Sequence, residues 1–447
     1  MLVTFQRDCW LSEQMTYRSF FCLTLILLAP LGIAGAGQLK LPLAAKDTDF
    51  RDTTAEQVKL GQLLFYDRVL SGTYRVSCAT CHHHDRASSN GFLLDGAEEP
   101  EQDDLAINGL PLYEALKPSA RHAPTLFNMG AKQFTHLFSD GRVAFENGEF
   151  KTPSKELPHG LNDVLAAQSL FPAVTKDELV GTVENDVAAA ADEGDSAIWE
   201  TLLDRIKDLP DYEPLFLAAY PKLNSKDDIS IAHIANAISA FVGYEWRADQ
   251  SPFDAYLRGD KSALSNSAKR GMELFYGPAG CGTCHSGTFQ TDHKFHVVGM
   301  PPWRFDSVLD TPETTHFDDR LGRIEVTEKK QDAFAFRTPS LRNVTKTAPY
   351  GYSGSFEKLE DALRHHIAPK AGLDGFVRKH AGRGPHLPKA QQEHLSKLKA
   401  AIPTEDKRLR KEQLSDLIAF LESLTDEAAL SGRLGKPEEV PSSLALD

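Results

Sequence analysis

Apolar positions recur at helical spacing along most of the chain. Ile231, Ile234, Ile238, Phe241 and Val242 share one helix face near the middle, and Leu414, Leu417, Ile418 and Leu421 repeat the pattern near the end. Each of these amphipathic helices closes a block that opens in the same way. Leu60-Gly61-Gln62-Leu63-Leu64-Phe65-Tyr66 precedes one cysteine pair, and Arg270-Gly271-Met272-Glu273-Leu274-Phe275-Tyr276 precedes another. Behind the cysteines, Pro124-Thr125-Leu126-Phe127-Asn128 and then Ser139-Asp140-Gly141 are matched by Pro339-Ser340-Leu341-Arg342-Asn343 and then Tyr352-Ser353-Gly354. Landmarks repeated in the same order imply two similar folding units. The pattern predicts an all-α protein with tandem domains over residues 48–245 and 255–430, crossing at Gln250-Ser251-Pro252. From residue 426 the pattern fades, and 431–447 read as a weakly ordered tail.

One stretch breaks the periodicity. After Arg18 the chain is apolar from Phe20 to Ile33 and ends in Ala34-Gly35-Ala36, the anatomy of a cleaved secretory signal. The run is short for a bilayer span and carries Pro30, Gly32 and Gly35 at its end. Residues 1–36 are therefore expected to direct export, with Met15 a candidate true start because residues 1–14 are polar. No other segment is long and apolar enough to cross a membrane, so no stable span is expected after cleavage. Composition adds exclusions. With 41% hydrophobic and 25% charged residues in 447, the chain is ordinary globular protein and not a disordered one. Its 49 Lys+Arg against 63 Asp+Glu leave a net charge of −14 without a long basic run, which excludes nucleic acid as an expected partner.

Of the six cysteines, Cys9 and Cys22 lie in the export segment, and the other four form Cys78-Ala79-Thr80-Cys81-His82 and Cys281-Gly282-Thr283-Cys284-His285. The C-x-x-C-H spacing suits covalent haem c: two thiols add to two vinyl groups, and the adjacent His is carried under the ring to ligate the iron. A zinc ribbon would set its pairs about 15–20 residues apart, and neither zinc nor a redox dithiol needs the His. Two haem c groups are expected. His83 and His84 read as solvent-exposed surface.

At these residues the chain resembles the bacterial di-haem cytochrome c peroxidases and their MauG-type relatives. Besides the two motifs, the resemblance rests on Arg121-His122-Ala123-Pro124-Thr125, Phe138-Ser139-Asp140-Gly141-Arg142, Pro172 to Glu178, Phe295 to Pro302, Phe336 to Val344 and Thr347-Ala348-Pro349-Tyr350. It implies two tandem cytochrome c-like domains, the first haem reacting with hydrogen peroxide and the second relaying electrons from a small donor protein. The family's distal acid lies six residues after a proline, which places it at Glu178 after Pro172, with Asp177 ranked second. Such an acid moves protons while the O–O bond breaks. Three departures stand out. Ser139 replaces the usual inter-haem Trp, leaving Phe138, Tyr350 or Trp303 as substitutes. Ile107-Asn108-Gly109-Leu110-Pro111 holds no distal His, which implies a first iron that is open as isolated, with His159 the fallback blocking ligand. His122 stands where the family often places a calcium-binding Asn, although Thr347 and Pro349 match its two carbonyl ligands; an inter-haem calcium stays open.

For the second iron the resemblance, aligned on Pro349, implies His366 as sixth ligand, where the family uses Met or Tyr. The residues agree independently: Leu359, Ala362, Leu363 and His366 fall at i, i+3, i+4 and i+7 on one face, with His365 about 100° away on the side of Lys358 and Asp361. Met300 and His296 remain alternatives; Met129, Met272 and Met300 are the only methionines beyond the signal. Arg142 is expected to pair with Asp140 or a haem propionate. The sequence thus points to a periplasmic di-haem peroxidase, with His82 as the first proximal ligand, Glu178 as acid/base, and His285 with His366 on the second iron. Its electron donor would be a small cytochrome c or cupredoxin. Oxidation of side chains on a partner protein, as in MauG, and a non-enzymatic di-haem electron carrier are the rival readings. Oligomeric state is open, a homodimer among the options.

Overall fold

In a computed structural model of the protein, the described residues are 39–89, 106–107, 110–111, 122–181, 184–301, 321–381 and 389–446. Expectations resting on residues 1–36, Asn108, Gly109, Arg121, Pro302 and Trp303, and on the side chain of Asp177, lie outside them. Residues 40–447 pack as one compact unit.

The fold is largely helical, and two helix pairs dominate it. Ala55–Tyr66 crosses Ile231–Glu245, and Asn266–Tyr276 crosses Lys411–Glu422. Thr54 starts the first helix by accepting from Gln57 N–H, and Ser265 starts the third by accepting from Ala268 N–H. Both crossings turn on a glycine. A Cβ at Gly61 would lie 1.8 Å from the Ala237 carbonyl oxygen and 2.8 Å from the Phe241 Cβ; at Gly271 it would lie 1.8 Å from the Asp416 carbonyl oxygen and 2.8 Å from the Phe420 Cβ. Beside each glycine, an aromatic pair fills the crossing: Phe65 on Phe241 at 5.3 Å and Phe275 on Phe420 at 5.0 Å. The internal repeat is thus a repeat of packing.

Small antiparallel sheets accompany the helices. His136–Leu137, Val143–Glu146 and Glu149–Lys151 form one, and Phe295–His296 with Phe336–Arg337 another; Ala106–Ile107 also pairs with Leu110–Pro111. The hairpin inside the first is closed by Asn147 and Gly148, both at positive φ, the residue pair that a two-residue type I′ turn needs.

The crossing at Gln250-Ser251-Pro252 is tightly held: Ser251 is buried, and Asp249 and Gln250 donate their N–H groups to Asp426 Oδ2 at 2.9 and 2.7 Å. The end of the chain, expected to be weakly ordered, packs instead. Ala429 and Val440 are buried in the large core that runs from Ala45 to Ala248, Leu444 and Leu446 pack against it, and Ser442 bonds the buried Asp67. Isolated apolar residues were enough to anchor it, because backbone hydrogen bonds to buried acids did the rest.

Adding one methyl group at either crossing forces the helices apart. Gly61→Ala and Gly271→Ala are each expected to destabilise by at least about 1–3 kcal/mol, the overpacking range, read as a lowered thermal midpoint.

Candidate functional site

Both cysteine motifs fold as a single turn. Cys78–Cys81 is a short helix capped by Ser77, which accepts from Ala79 N–H while its own N–H donates to Thr80 Oγ1 at 2.9 Å. The turn ends with His82 N–H on the Cys78 carbonyl at 2.9 Å; Cys281–Thr283 does the same with His285 N–H on the Cys281 carbonyl, also 2.9 Å. Each imidazole is therefore carried back beneath its own cysteine pair. Its Nδ1 is then fixed by main chain: His82 Nδ1 lies 3.0 Å from the Ser88 carbonyl, and His285 Nδ1 lies 3.1 Å from the Gln290 carbonyl. A carbonyl at Nδ1 makes that nitrogen the donor and leaves Nε2 as the lone-pair end, the orientation required of a metal ligand.

Burial sets the charge state of these groups. It pushes His82 below its ordinary value and His285 to about 4, the latter helped by His366. Both rings are neutral near pH 7, as ligation demands. Burial pushes the Cys281 thiol up to about 11 and raises Cys284. A redox dithiol needs the opposite shift. No disulfide joins the four cysteines.

His366 stands across from His285, with ring centroids 6.5 Å apart. Two metal–imidazole bonds of about 2 Å, the scale first-row metals set, together with the ring radii fill that spacing, so the pair fits an iron between its Nε2 atoms. His366 Nδ1 is turned toward the Ala362 carbonyl at 3.3 Å, one helical turn back, and burial lowers its pKa. The residue keeps solvent exposure. His365 differs from expectation. It does not face solvent beside Lys358 and Asp361; it is buried, its Nε2 is 2.8 Å from the Gly299 carbonyl, and Gly372 presses on its ring. The next helix, Pro369–Ala381, folds back over that side of Leu359–Ile367. His296 is engaged with Asp292 at 2.8 Å, and Met300 is buried against Gly351.

Glu178 sits in a five-residue turn, Lys176–Val180, where its own backbone leaves helical geometry at φ −118°, ψ −105°. Pro172 starts the preceding turn from its first position, as its fixed φ favours. The segment is nailed to the approach to the first motif: Gly72 N–H donates to the Leu179 carbonyl at 2.7 Å, and a Cβ on Gly72 would strike the Val180 oxygen at 2.1 Å. Ala173 and Leu179 consequently line the same apolar cavity as Cys78, Ile234 and Ile238. Glu178 itself is half-buried, and its neighbour Leu179 is the residue of this turn that reaches the cavity.

The two halves meet at the position where the resemblance lacks its Trp. Ser139 offers its carbonyl to Arg337 N–H at 2.7 Å, Phe138 offers its carbonyl to Arg337 Nε at 3.2 Å, and Arg323 bonds the Asp140 and Gly141 carbonyls. Main-chain hydrogen bonds occupy the junction at Ser139. Arg142 pairs with Asp140 at 2.7 Å and covers the Phe138 ring. Tyr350 lies half-buried, bridged through its main chain to Phe356. His122 donates its N–H to the Tyr352 carbonyl, and its Nε2 is 2.9 Å from Ser89 Oγ. An imidazole so engaged supplies no oxygen to a hard cation, so this position does not fit calcium. Among the described residues, the one cluster of metal-ligand side chains is Cys284, Asp292 and His296, at the second motif. His84 is also misjudged by sequence: its Nδ1 lies 3.8 Å from the buried Glu245.

A sequence profile described as di-haem cytochrome c peroxidase matches residues 55–262. The methylamine utilization protein MauG of Methylorubrum extorquens is 29% identical over 316 residues, 70% of this chain and 69% of its own. Cytochrome c551 peroxidase of Pseudomonas aeruginosa is 27% identical over 332 residues, 73% of this chain and 77% of its own. The chain is similar to the bacterial di-haem cytochrome c peroxidases and to MauG. The crystal structure of a MauG-like protein associated with microbial copper homeostasis superposes with a TM-score of 0.53 at 25% identity, over 89% of this chain and 96% of that one. For a relative of the di-haem peroxidases, the donor set of each motif, two thiols and a neutral imidazole with a fixed Nδ1, fits haem c.

Sequence reasoning quoted Arg342 only as a landmark. Fully buried, it bonds both oxygens of the equally buried Asp254 and reaches the Thr288 carbonyl at 2.7 Å, bracing the loop that leads to Gln290. Arg342→Met would strand the Asp254 charge. The expected cost is about 3–5 kcal/mol, measured by denaturant unfolding of the purified protein.

Proposed function

We propose that this chain is a di-haem c-type peroxidase that reduces hydrogen peroxide to water with electrons from a small redox protein. The observation that carries it is the doubled motif turn with oriented, neutral His82 and His285, the latter facing a second imidazole, His366, with ring centroids 6.5 Å apart. Cys78 and Cys81 hold the first haem and Cys281 and Cys284 the second, one in each of two tandem cytochrome c-like units over 48–245 and 255–430. Bound haem supplies the iron that takes up the oxidising equivalents of peroxide.

This chain's own residues do the rest. His82 is the proximal ligand on the first haem. Glu178 takes the proton from the near oxygen of peroxide and delivers it to the far one, so that the O–O bond parts heterolytically and water leaves. Its turn beside the Cys78 cavity supports that role. His285 and His366 would hold the second haem's iron, and two imidazole ligands would lower its potential relative to a His/Met pair. Two electrons and two protons per peroxide then give two waters. The donor is a small basic cytochrome or cupredoxin, drawn to a chain of net charge −14 by steering that weakens with salt. Export directed by residues 1–36 would put the reaction in the periplasm; among the described residues no helix is long and apolar enough to cross a membrane. Calcium has no support at His122.

Stopped-flow spectra of the diferric protein mixed with one equivalent of peroxide test the reading: a rapid haem change is expected, and an inert spectrum makes the protein an electron carrier. Turnover of a reduced small cytochrome separates the peroxidase from a MauG-type oxidant of a partner protein. Glu178→Gln should keep both haems and slow the peroxide reaction by about 100-fold or more. His366→Ala should turn the second haem high-spin in electron paramagnetic resonance while the first keeps its signal; a second haem that stays low-spin removes His366 from the ligand set.

A further inference from the structure

The last stretch of chain returns to the first motif. Glu245, the final residue of its helix, is fully buried, and its carboxylate collects three successive main-chain N–H groups: Arg433 and Leu434 on Oε2 at 3.1 and 2.7 Å, and Gly435 on Oε1 at 2.9 Å. Oε1 also stands 3.8 Å from His84 Nδ1. Lys436 adds a second grip, 3.7 Å from Asp85. At Gly432, φ is +69°, and a Cβ there would lie 2.1 Å from Glu245 Oε1 and 2.6 Å from His84 Cε1. Strap, carboxylate and histidine thus touch at one point.

What they hold is the loop after the first haem motif. His84 opens the turn His84–Arg86, and the loop closes on itself with His83 N–H on the Ser89 carbonyl and Ser88 N–H on the His83 carbonyl, both 3.1 Å. Its product is the Ser88 carbonyl at 3.0 Å from His82 Nδ1. The second half solves the same problem with the Arg342–Asp254 pair bracing the loop to Gln290. Each half has a buried carboxylate behind the loop that aims a carbonyl at its imidazole.

We propose that Glu245 and the strap 432–436 are positioning residues for the first haem's axial ligand, holding the His83–Ser89 loop so that the Ser88 carbonyl stays on His82 Nδ1. The strength of that hydrogen bond sets how basic the ligating nitrogen is, and with it the spin state and potential of the iron. The proposal rests on the reading of His82 as that ligand.

Three holoenzyme variants test it. Gly432→Ala pushes the strap off Glu245 and His84, Glu245→Gln turns an N–H toward donors, and Ser442→Ala loosens only the strap's far end at Asp67. The first two are expected to shift the midpoint potential and paramagnetic resonance signal of the first haem and leave the second unchanged; Ser442→Ala should lower the thermal midpoint alone. If Glu245→Gln fails to accumulate, Gly432→Ala decides. Lowered stability in all three with both haem signals unmoved would overturn the proposal, as would equal shifts in both haems. Haem counted on the denatured protein separates the two levels: two per chain with no shift sinks the positioning role, and fewer than two sinks the haem reading beneath it.

Discussion

Two contacts of backbone against backbone fix the frame of this protein. Where Gly61 meets the Ala237 carbonyl and Gly271 meets that of Asp416, no side chain stands between the helices, so neither can slide without a main-chain clash. Phe65 and Phe275 then have a single place to go, against Phe241 and Phe420. The motif turns that follow inherit that precision. A ligand carried on a turn can be aimed to a fraction of an ångström only if the helix before the turn cannot move.

Aiming is completed by main-chain carbonyls, and charge is kept out of the way. The carbonyls of Ser88 and Gln290 orient His82 and His285, while burial keeps the imidazoles neutral. Charges that cannot be avoided are paired inside: Arg342 with Asp254, and Glu245 with a run of N–H groups. Arg337, at the junction of the halves, is the costly case. Burial pushes it down to about 10 against the opposing charge of Asp140, and among the described residues its Nη1 has no hydrogen-bond partner.

Much of this was legible in sequence where the signal is local. The C-x-x-C-H residues are contiguous, and the face shared by Leu359, Ala362 and His366 follows from helical geometry alone. Glu178 was proposed only by resemblance, since nothing in its own composition separates it from other acids near a turn. What sequence could not reveal is of another kind. Ser88 and Gln290 act through carbonyls, which every residue has. Glu245 looks like an ordinary helix end, and its partners Arg433 to Gly435 are remote in sequence. His365 was placed by helical geometry on the side of Lys358 and Asp361, and that geometry carries no sign of the following helix that covers it. Asn147-Gly148 marks a hairpin, but strands this short scarcely register against long amphipathic helices.

Val440 lies in the same core as Leu60 and Leu64, so segments far apart in sequence complete one another. Chains grow from the N-terminus, and early segments begin to fold before late ones exist. The packing around Leu60 and Leu64 therefore closes only once Val440 has been made, and contacts of such long sequence separation slow the last step of folding.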